Sequence, residues 1–210
     1  MVDIYTLGEN KMNKKNKKMN VRTITMTGLF GALSAVLMMF SFNVPLMPSF
    51  IKMDFSELPA LIAAFAMGPL SGVMVCLVKN LINVMFSTTG GVGEFSNFVL
   101  GCAFVIPAGV IYKKNKSKRS ALIGSIVGDV FMAVFSVFSN YFVVYPVYSM
   151  FMPMKAIVGM YHEIYSGIDN LLQALIIFNM PFTFIKGLFS IVITFIIYKH
   201  ISPIIKGTSR

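Results

Sequence analysis

The sequence predicts an all-α integral membrane protein with six transmembrane helices and both termini cytoplasmic. Three observations carry this. Of the 210 residues, 56% are hydrophobic and only 12% charged, where a soluble domain carries about 25% charged residues. The apolar residues fall in long runs, several close to the roughly 20 residues that span a hydrocarbon core. The cations cluster beside those runs, as cytoplasmic anchoring requires. The same composition excludes disorder and leaves no room for an extramembranous enzyme domain.

The first span is read at residues 23–42, stopped by Pro45 and Pro48. A short apolar run follows from Phe55 to Met67, too short for a full perpendicular crossing, and ends at the turn signal Gly68-Pro69. The third span covers 70–86 and ends in a Gly-rich stretch at 87–93. The fourth covers 94–112 and stops at a Lys-rich loop. The fifth runs from 120 to 145 with Pro146 as its stop, and the sixth from Pro181 to 198. Residues 147–180 are mixed in polarity and read as a loop plus a partly immersed helix, with 171–178 apolar enough for a seventh crossing.

Charge decides between six and seven. Six cations lie between Lys11 and Arg22, five between Lys113 and Arg119, and Lys199, Lys206 and Arg210 close the chain, together 14 of the 18 Lys and Arg. With the N-terminal cluster inside, four crossings return the 113–119 loop to the cytoplasm and six return the C-terminus. Seven would strand the last cluster outside. The expected organisation is a basic cytoplasmic tail at 1–20, a membrane domain at 21–200 and a cytoplasmic tail at 201–210. The net charge of +10 is thus an anchoring pattern, and no basic stripe on a soluble domain remains for nucleic acid.

Cys76 and Cys102 lie inside apolar runs and read as buried small hydrophobes. His162 and His200 lack partners at ligand spacing, so no metal is expected. Ionisable groups at membrane depth cost about 2.5–3.5 kcal/mol on insertion scales. Lys79, with Asn80 and Asn83 on adjoining positions, has Asp129 as one candidate structural partner. Lys186 either snorkels to the outer interface or meets a ligand. Asn140, Asn179, Thr183 and Lys186 fall at the outer ends of two consecutive spans joined by an aromatic-rich connection. Amides, a hydroxyl and an ammonium among Phe and Tyr suit a flat, polar, uncharged ligand. The set has no nucleophile–base or acid–base pair, so it points to binding rather than catalysis.

On the first span, Gly28 and Ala32, then Gly31 and Ala35, form overlapping small-xxx-small pairs. Such faces permit close helix approach, within the chain or to another subunit. No GxxxxGK[ST] loop occurs, so any energy source lies in a partner. A membrane enzyme acting on lipid would need a DxxD-type carboxylate pair or a His cluster, and a self-sufficient carrier an inverted repeat; neither is apparent.

Asp54-Phe-Ser-Glu-Leu-Pro-Ala-Leu61, Gly68-Pro-Leu-Ser-Gly72, Lys79-Asn-Leu-Ile-Asn83, Asn140-Tyr-Phe-Val-Val-Tyr-Pro146 and Pro181-Phe-Thr-Phe-Ile-Lys-Gly187 together resemble the S component, the substrate-binding membrane subunit, of energy-coupling factor (ECF) vitamin transporters, in its riboflavin-specific type. The resemblance covers about residues 20–200. It implies six helices, capture of riboflavin at the extracellular side, and association with a transmembrane T component and two ATPases, with riboflavin as transported ligand rather than cofactor. It maps the T-component contact onto Gly28, Gly31, Ala32 and Ala35, and the flavin pocket onto Asn140, Thr183 and Lys186. Asn179 joins that pocket by proximity. Glu94 and Asn97 are expected to face the ribityl hydroxyls, and the loop at 43–54, with Pro45, Met47, Pro48 and Phe50, to form a lid. An S component for another vitamin or precursor is the neighbouring alternative, and a small integral-membrane lipid enzyme the more distant one.

Overall fold

The computed structural model describes residues 20–87 and 89–206, with side chains described as far as residue 197. The expected tail at 1–20 lies, apart from Asn20, outside the described residues, as do positions 207–210.

Helix α1 (Val21–Met39) leads into a two-stranded hairpin, β1 (Phe42–Asn43) and β2 (Lys52–Met53). The strands are antiparallel, with Phe42 opposite Met53 and Asn43 opposite Lys52. Helix α2 (Glu57–Met67) follows, then α3 (Pro69–Val84) and α4 (Val92–Lys114). Helix α5 (Lys118–Ser139) continues through a π-helical turn (Asn140–Val144) into α6 (Tyr145–Tyr148). Helix α7 (Met154–Ile164) follows as a separate helix. Helix α8 (Leu171–Ala174) passes through a second π-helical turn (Leu175–Asn179) into α9 (Met180–Lys206), past the expected boundary at 200.

Among the described residues, four helical runs are long and apolar enough to cross a membrane: Val21–Met39, Val92–Lys114, Lys118–Tyr148 and Leu171–Ile197. Helices α2 and α3 are shorter and apolar. Helix α2 forms the centre of the molecule. Every residue from Glu57 to Phe65 is buried, against α1, α3, α4 and α9. At 1.5 Å per residue its 11 residues reach about half the thickness of a hydrocarbon core. Gly68 reverses the chain at φ +108°, a conformation that L side chains rarely adopt. Pro69 then starts α3 where a missing N–H costs nothing.

The long helices bury one side and expose the other. On α5 the exposed side carries Val127, Val130, Phe131, Val134 and Phe138, spaced three and four apart as one helical face. Small residues (Gly124, Ser125, Gly128) form its buried side. A large apolar face left exposed by the fold is a surface for lipid rather than water.

Two sequence expectations are corrected here. Pro146 does not stop the fifth span, and Pro181 does not begin the sixth. Each proline lies inside a continuous helical run. A helical proline donates no bond and crowds the carbonyl four residues back. Those carbonyls belong to Phe142 and Ile177, both within π-helical turns, whose wider pitch relieves the crowding. Residues 171–178 therefore belong to the same helical run as the expected sixth span, Leu171–Ile197, and are not a separate helix.

Candidate functional site

The two π-helical turns place their amides toward a common space. Asn140 opens the first turn and Asn179 closes the second, and both are buried. With Thr183 and Lys186, one and two helical turns further along α9, they line a cavity of about 380 Å³. Glu94 and Asn97 from the start of α4 line it too, with Phe50, Ile51, Lys52 and Asp54 from the hairpin and the residues after it. Leu100 and Met132 add apolar wall. Of the pocket and lid residues singled out in the sequence, Met47 is not brought to this cavity, nor are the lid prolines Pro45 and Pro48. Met47 closes a turn on Val44, and Phe50, Ile51 and Lys52 take the hairpin's place in the wall.

The cavity cation is engaged. Lys186 Nζ donates to Asp54 Oδ2 at 2.8 Å, with side-chain exposures of 11% and 5%. Lys186 thus turns inward to a carboxylate and does not snorkel. Asp54 Oδ1 accepts from the Ser56 backbone N–H at 2.9 Å and from the Ser56 hydroxyl. Burial alone would raise the Asp54 carboxyl, but the charges of Lys186 and then Lys79, with the hydrogen bonds from Lys186 and Ser56, outweigh it and hold the pKa at about 2.

A second buried pair adjoins the first. Lys79 Nζ donates to Glu57 Oε1 at 2.6 Å and to Ser56 Oγ at 2.7 Å. Lys79 therefore pairs with Glu57 and not with Asp129. Helices α2 and α3 form an antiparallel pair about Gly68, so Glu57 and Lys79, each eleven residues from that turn, stand at one depth. Asp129 is elsewhere, on α5 against Gly187 of α9, which leaves no room for a Cβ. Ser34 of α1 donates to the Ser56 carbonyl, so one connected set of bonds joins α1, the post-hairpin segment, α2, α3 and α9.

Aromatic residues wall the other side. Asn179 Nδ2 donates to Tyr145 OH at 3.0 Å, and Tyr161 OH donates to Asn179 Oδ1 at 2.7 Å. Tyr161 has one proton, spent on Asn179, so Tyr145 is the donor in the contact between the two phenols. The ring of three bonds locks both ends of the Asn179 amide and ties α7 to the two long runs. Phe50 packs among Tyr145, Tyr148 and Tyr161, with centroids 6.2, 5.9 and 6.3 Å away. Asn97 Oδ1 is buried without a hydrogen-bond partner, and Glu94 Oε2 accepts from Ser87 Oγ at 2.7 Å and Thr89 Oγ1 at 3.3 Å. Sequence reasoning missed Asp54, Tyr145 and Tyr161 as site residues. The symmetric spacing about Gly68 was a usable signal for Glu57 and Lys79, whereas Asp54 and Lys186 are 132 positions apart, with none between them.

A family model for the substrate-specific component of ECF transporters matches residues 22–198. The chain belongs to that family. As an ECF S component it is an integral membrane protein of a transport system and not an enzyme. It is 33% identical over 198 residues to the riboflavin transporter RibU of Staphylococcus aureus (strain TCH60), covering 94% of this chain and 98% of that one. It is 28% identical over 189 residues to the riboflavin transporter FmnP of Bacillus subtilis (strain 168), covering 88% and 94%. A solved structure described as the S component of a bacterial ECF transporter superposes with a TM-score of 0.69 at 32% identity, covering 88% of this chain and 98% of that one.

The small face of α1 in this S component divides in two. Gly31 and Ala35 are buried, and a Cβ on Gly31 would lie 2.7 Å from Val78 Cγ1 of α3. The Ala35 carbonyl accepts from Asn83 Nδ2 at 3.2 Å. Gly28 and Ala32 face outward, beside the exposed Leu29, Leu33 and Val36. Intramolecular packing therefore occupies half of the motif and leaves the other half free. Among the described residues no group of His, Cys, Asp and Glu is arranged to hold a metal, and Cys76 and Cys102 are free thiols.

Proposed function

We propose that this S component binds riboflavin in the cavity between the hairpin, α4, the π-helical turns and α9, for uptake driven by a T component and two ATPase subunits. The observation that carries the reading is the lining itself. Asn140 offers an amide that both donates and accepts, Lys186 donates, and Thr183 does either. They stand in a space of about 380 Å³ beside Phe50, Tyr145 and Tyr148. A flat isoalloxazine has a uracil-like edge for the first set and aromatic faces for the second. The relatives named riboflavin transporters support the ligand.

The topology that goes with this reading has six crossings, the four long runs plus α2 and α3, with both ends in the cytoplasm. Helix α4 supports it. Glu94 and Asn97 are on the cavity at one end, and Lys113 and Lys114 close the other, 23 residues in all, or about 35 Å. A positive-inside orientation of the 113–119 loop then opens the cavity to the extracellular side. Gly28 and Ala32 on the outward face of α1 are the proposed T-component contact, with Gly31 and Ala35 behind them as its packing support.

Equilibrium binding to a vitamin panel on the purified chain in detergent tests the ligand. Riboflavin should bind with quenched flavin fluorescence, and protein from flavin-containing cells should be yellow. A colourless protein that ignores added riboflavin but binds another vitamin overturns the assignment.

A further inference from the structure

A second cavity adjoins the first. It also measures about 380 Å³, and Phe151, Met152, Ile157 and Met160 line it with Ser49 and Gly90. None of these six lines the inner cavity. Phe50, Tyr145 and Tyr148, with Lys52 and Thr89, belong to both, so the two spaces share one wall. Ser49, Gly90 and Phe151 are exposed, so the second cavity reaches the protein surface. The members of the wall are held unequally. Tyr145 is tied by its hydroxyl to Tyr161 and Asn179, and Tyr148 belongs to a helix. Phe50 is half-buried and is carried by the connection between β1 and β2. It meets Tyr145 and Tyr161 edge-on and Tyr148 at a tilt, with centroids 5.9–6.3 Å away. A swing of the Phe50 ring about its own side-chain bonds is the smallest movement that joins the two spaces.

The two linings differ in what they can do. The inner one carries the amides Asn140 and Asn179 with Lys186, polar groups of the kind that fix a ligand's orientation. No carboxylate or side-chain amide lines the outer one. It offers aromatic faces and two methionines, whose flexible thioethers fit many shapes. Its Thr89 hydroxyl is already engaged with the Gly93 N–H and with Glu94. Such a lining holds a flat ring without orienting it, which makes for weak and short-lived binding. We propose that the outer cavity is a second binding site, occupied by the isoalloxazine ring of riboflavin before it passes Phe50 into the inner cavity. This rests on the riboflavin reading and adds a route to it.

Rates of riboflavin binding and release by purified protein in detergent, read by stopped-flow flavin fluorescence, test the route. A residue on the route but outside the final site changes the barrier and not the two end states, so it slows entry and exit by one factor. Met160→Trp fills the outer cavity alone. It should slow both association and dissociation by about tenfold and leave Kd within about threefold. Ser49→Trp, on the exposed connection between the strands, should act in the same sense, and it carries the test if Met160→Trp fails to fold. Tyr165→Trp lines neither cavity and is exposed, so it should leave both rates unchanged. Parental rates in a folded Met160→Trp or in Ser49→Trp, a loss of affinity carried by one rate alone, or equal slowing in Tyr165→Trp overturns the proposal. Failure of the unaltered chain to bind riboflavin overturns the riboflavin reading instead, so the two failures are distinct.

Discussion

Lys186 and Asp54 are 132 positions apart and meet at 2.8 Å on the cavity wall. The ammonium is held by a segment that directly follows the hairpin strand β2, so α9 and the hairpin segment share one ion pair at the cavity wall. A ligand that takes a hydrogen bond from Lys186 therefore acts on the hairpin as well as on α9.

Removing single polar groups from the lining should weaken riboflavin binding without abolishing the fold. Lys186→Ala and Asn140→Ala each leave a buried ligand group unpaired, at about 1–3 kcal/mol, or roughly five- to 150-fold in Kd. Fluorescence titration reads both. Unchanged affinity in the two variants would remove this cavity as the binding site.

The low pKa of Asp54 makes a pH prediction. Its folded value of about 2 lies below the ordinary aspartate value of 3.8, so ionisation of Asp54 stabilises the fold at every pH above about 4. That contribution, about 2 kcal/mol, is lost as pH falls from 4 through 2. Thermal unfolding in detergent should show a drop over this window that is smaller in Asp54→Asn. An identical pH profile in the two proteins would contradict the pairing.

Tyr161→Phe should break the three-membered ring of hydrogen bonds with a single atom removed. It leaves Asn179 Oδ1 and the Tyr145 hydroxyl short of partners in a buried place, costing about 1–3 kcal/mol of stability. Riboflavin affinity should fall by a few-fold, because Asn179 loses the bond that fixes its orientation. A melting temperature within error of the parent would show that the ring adds nothing.

The helical runs were legible because lipid imposes one rule: an uninterrupted apolar stretch long enough to cross. Their ends were not. In straight α-helices Pro146 reads as a stop and Pro181 as a start, and the wider π-helical turns at Phe142 and Ile177 cancel both signals. Asn140, Thr183 and Lys186 could be singled out because polar groups are costly in apolar surroundings, and the cost is visible in sequence. Their partners could not be singled out so easily. Asp54 precedes α2 in an ordinary polar context, and Tyr145 and Tyr161 pass for aromatic filling until the fold brings their hydroxyls to Asn179.

The Lys79–Glu57 pair should behave as a buried ion pair does. Lys79→Met strands the Glu57 carboxylate and should destabilise by about 3–5 kcal/mol. Adding Glu57→Gln should restore most of the loss. A fluorogenic thiol reagent reports unfolding here, because Cys76 is fully buried and Cys102 partly so. If the double variant were as unstable as Lys79→Met alone, the pair would not be the source of the loss.

The divided face of α1 separates folding from partnership. Gly31 has no room for a Cβ beside Val78, so Gly31→Leu must push α1 from α3 and should lower the melting temperature, with overpacking worth about 1–3 kcal/mol or more. Ala32 faces outward, and Ala32→Leu places its extra volume where lipid already lies. It should leave stability and riboflavin affinity of the isolated chain unchanged. In cells expressing the partner subunits it should reduce uptake, because a leucine there keeps a second helix from close approach. Uptake at the parental level in Ala32→Leu and also in Gly28→Leu, with both proteins at normal abundance, would show that no partner docks on this side of α1.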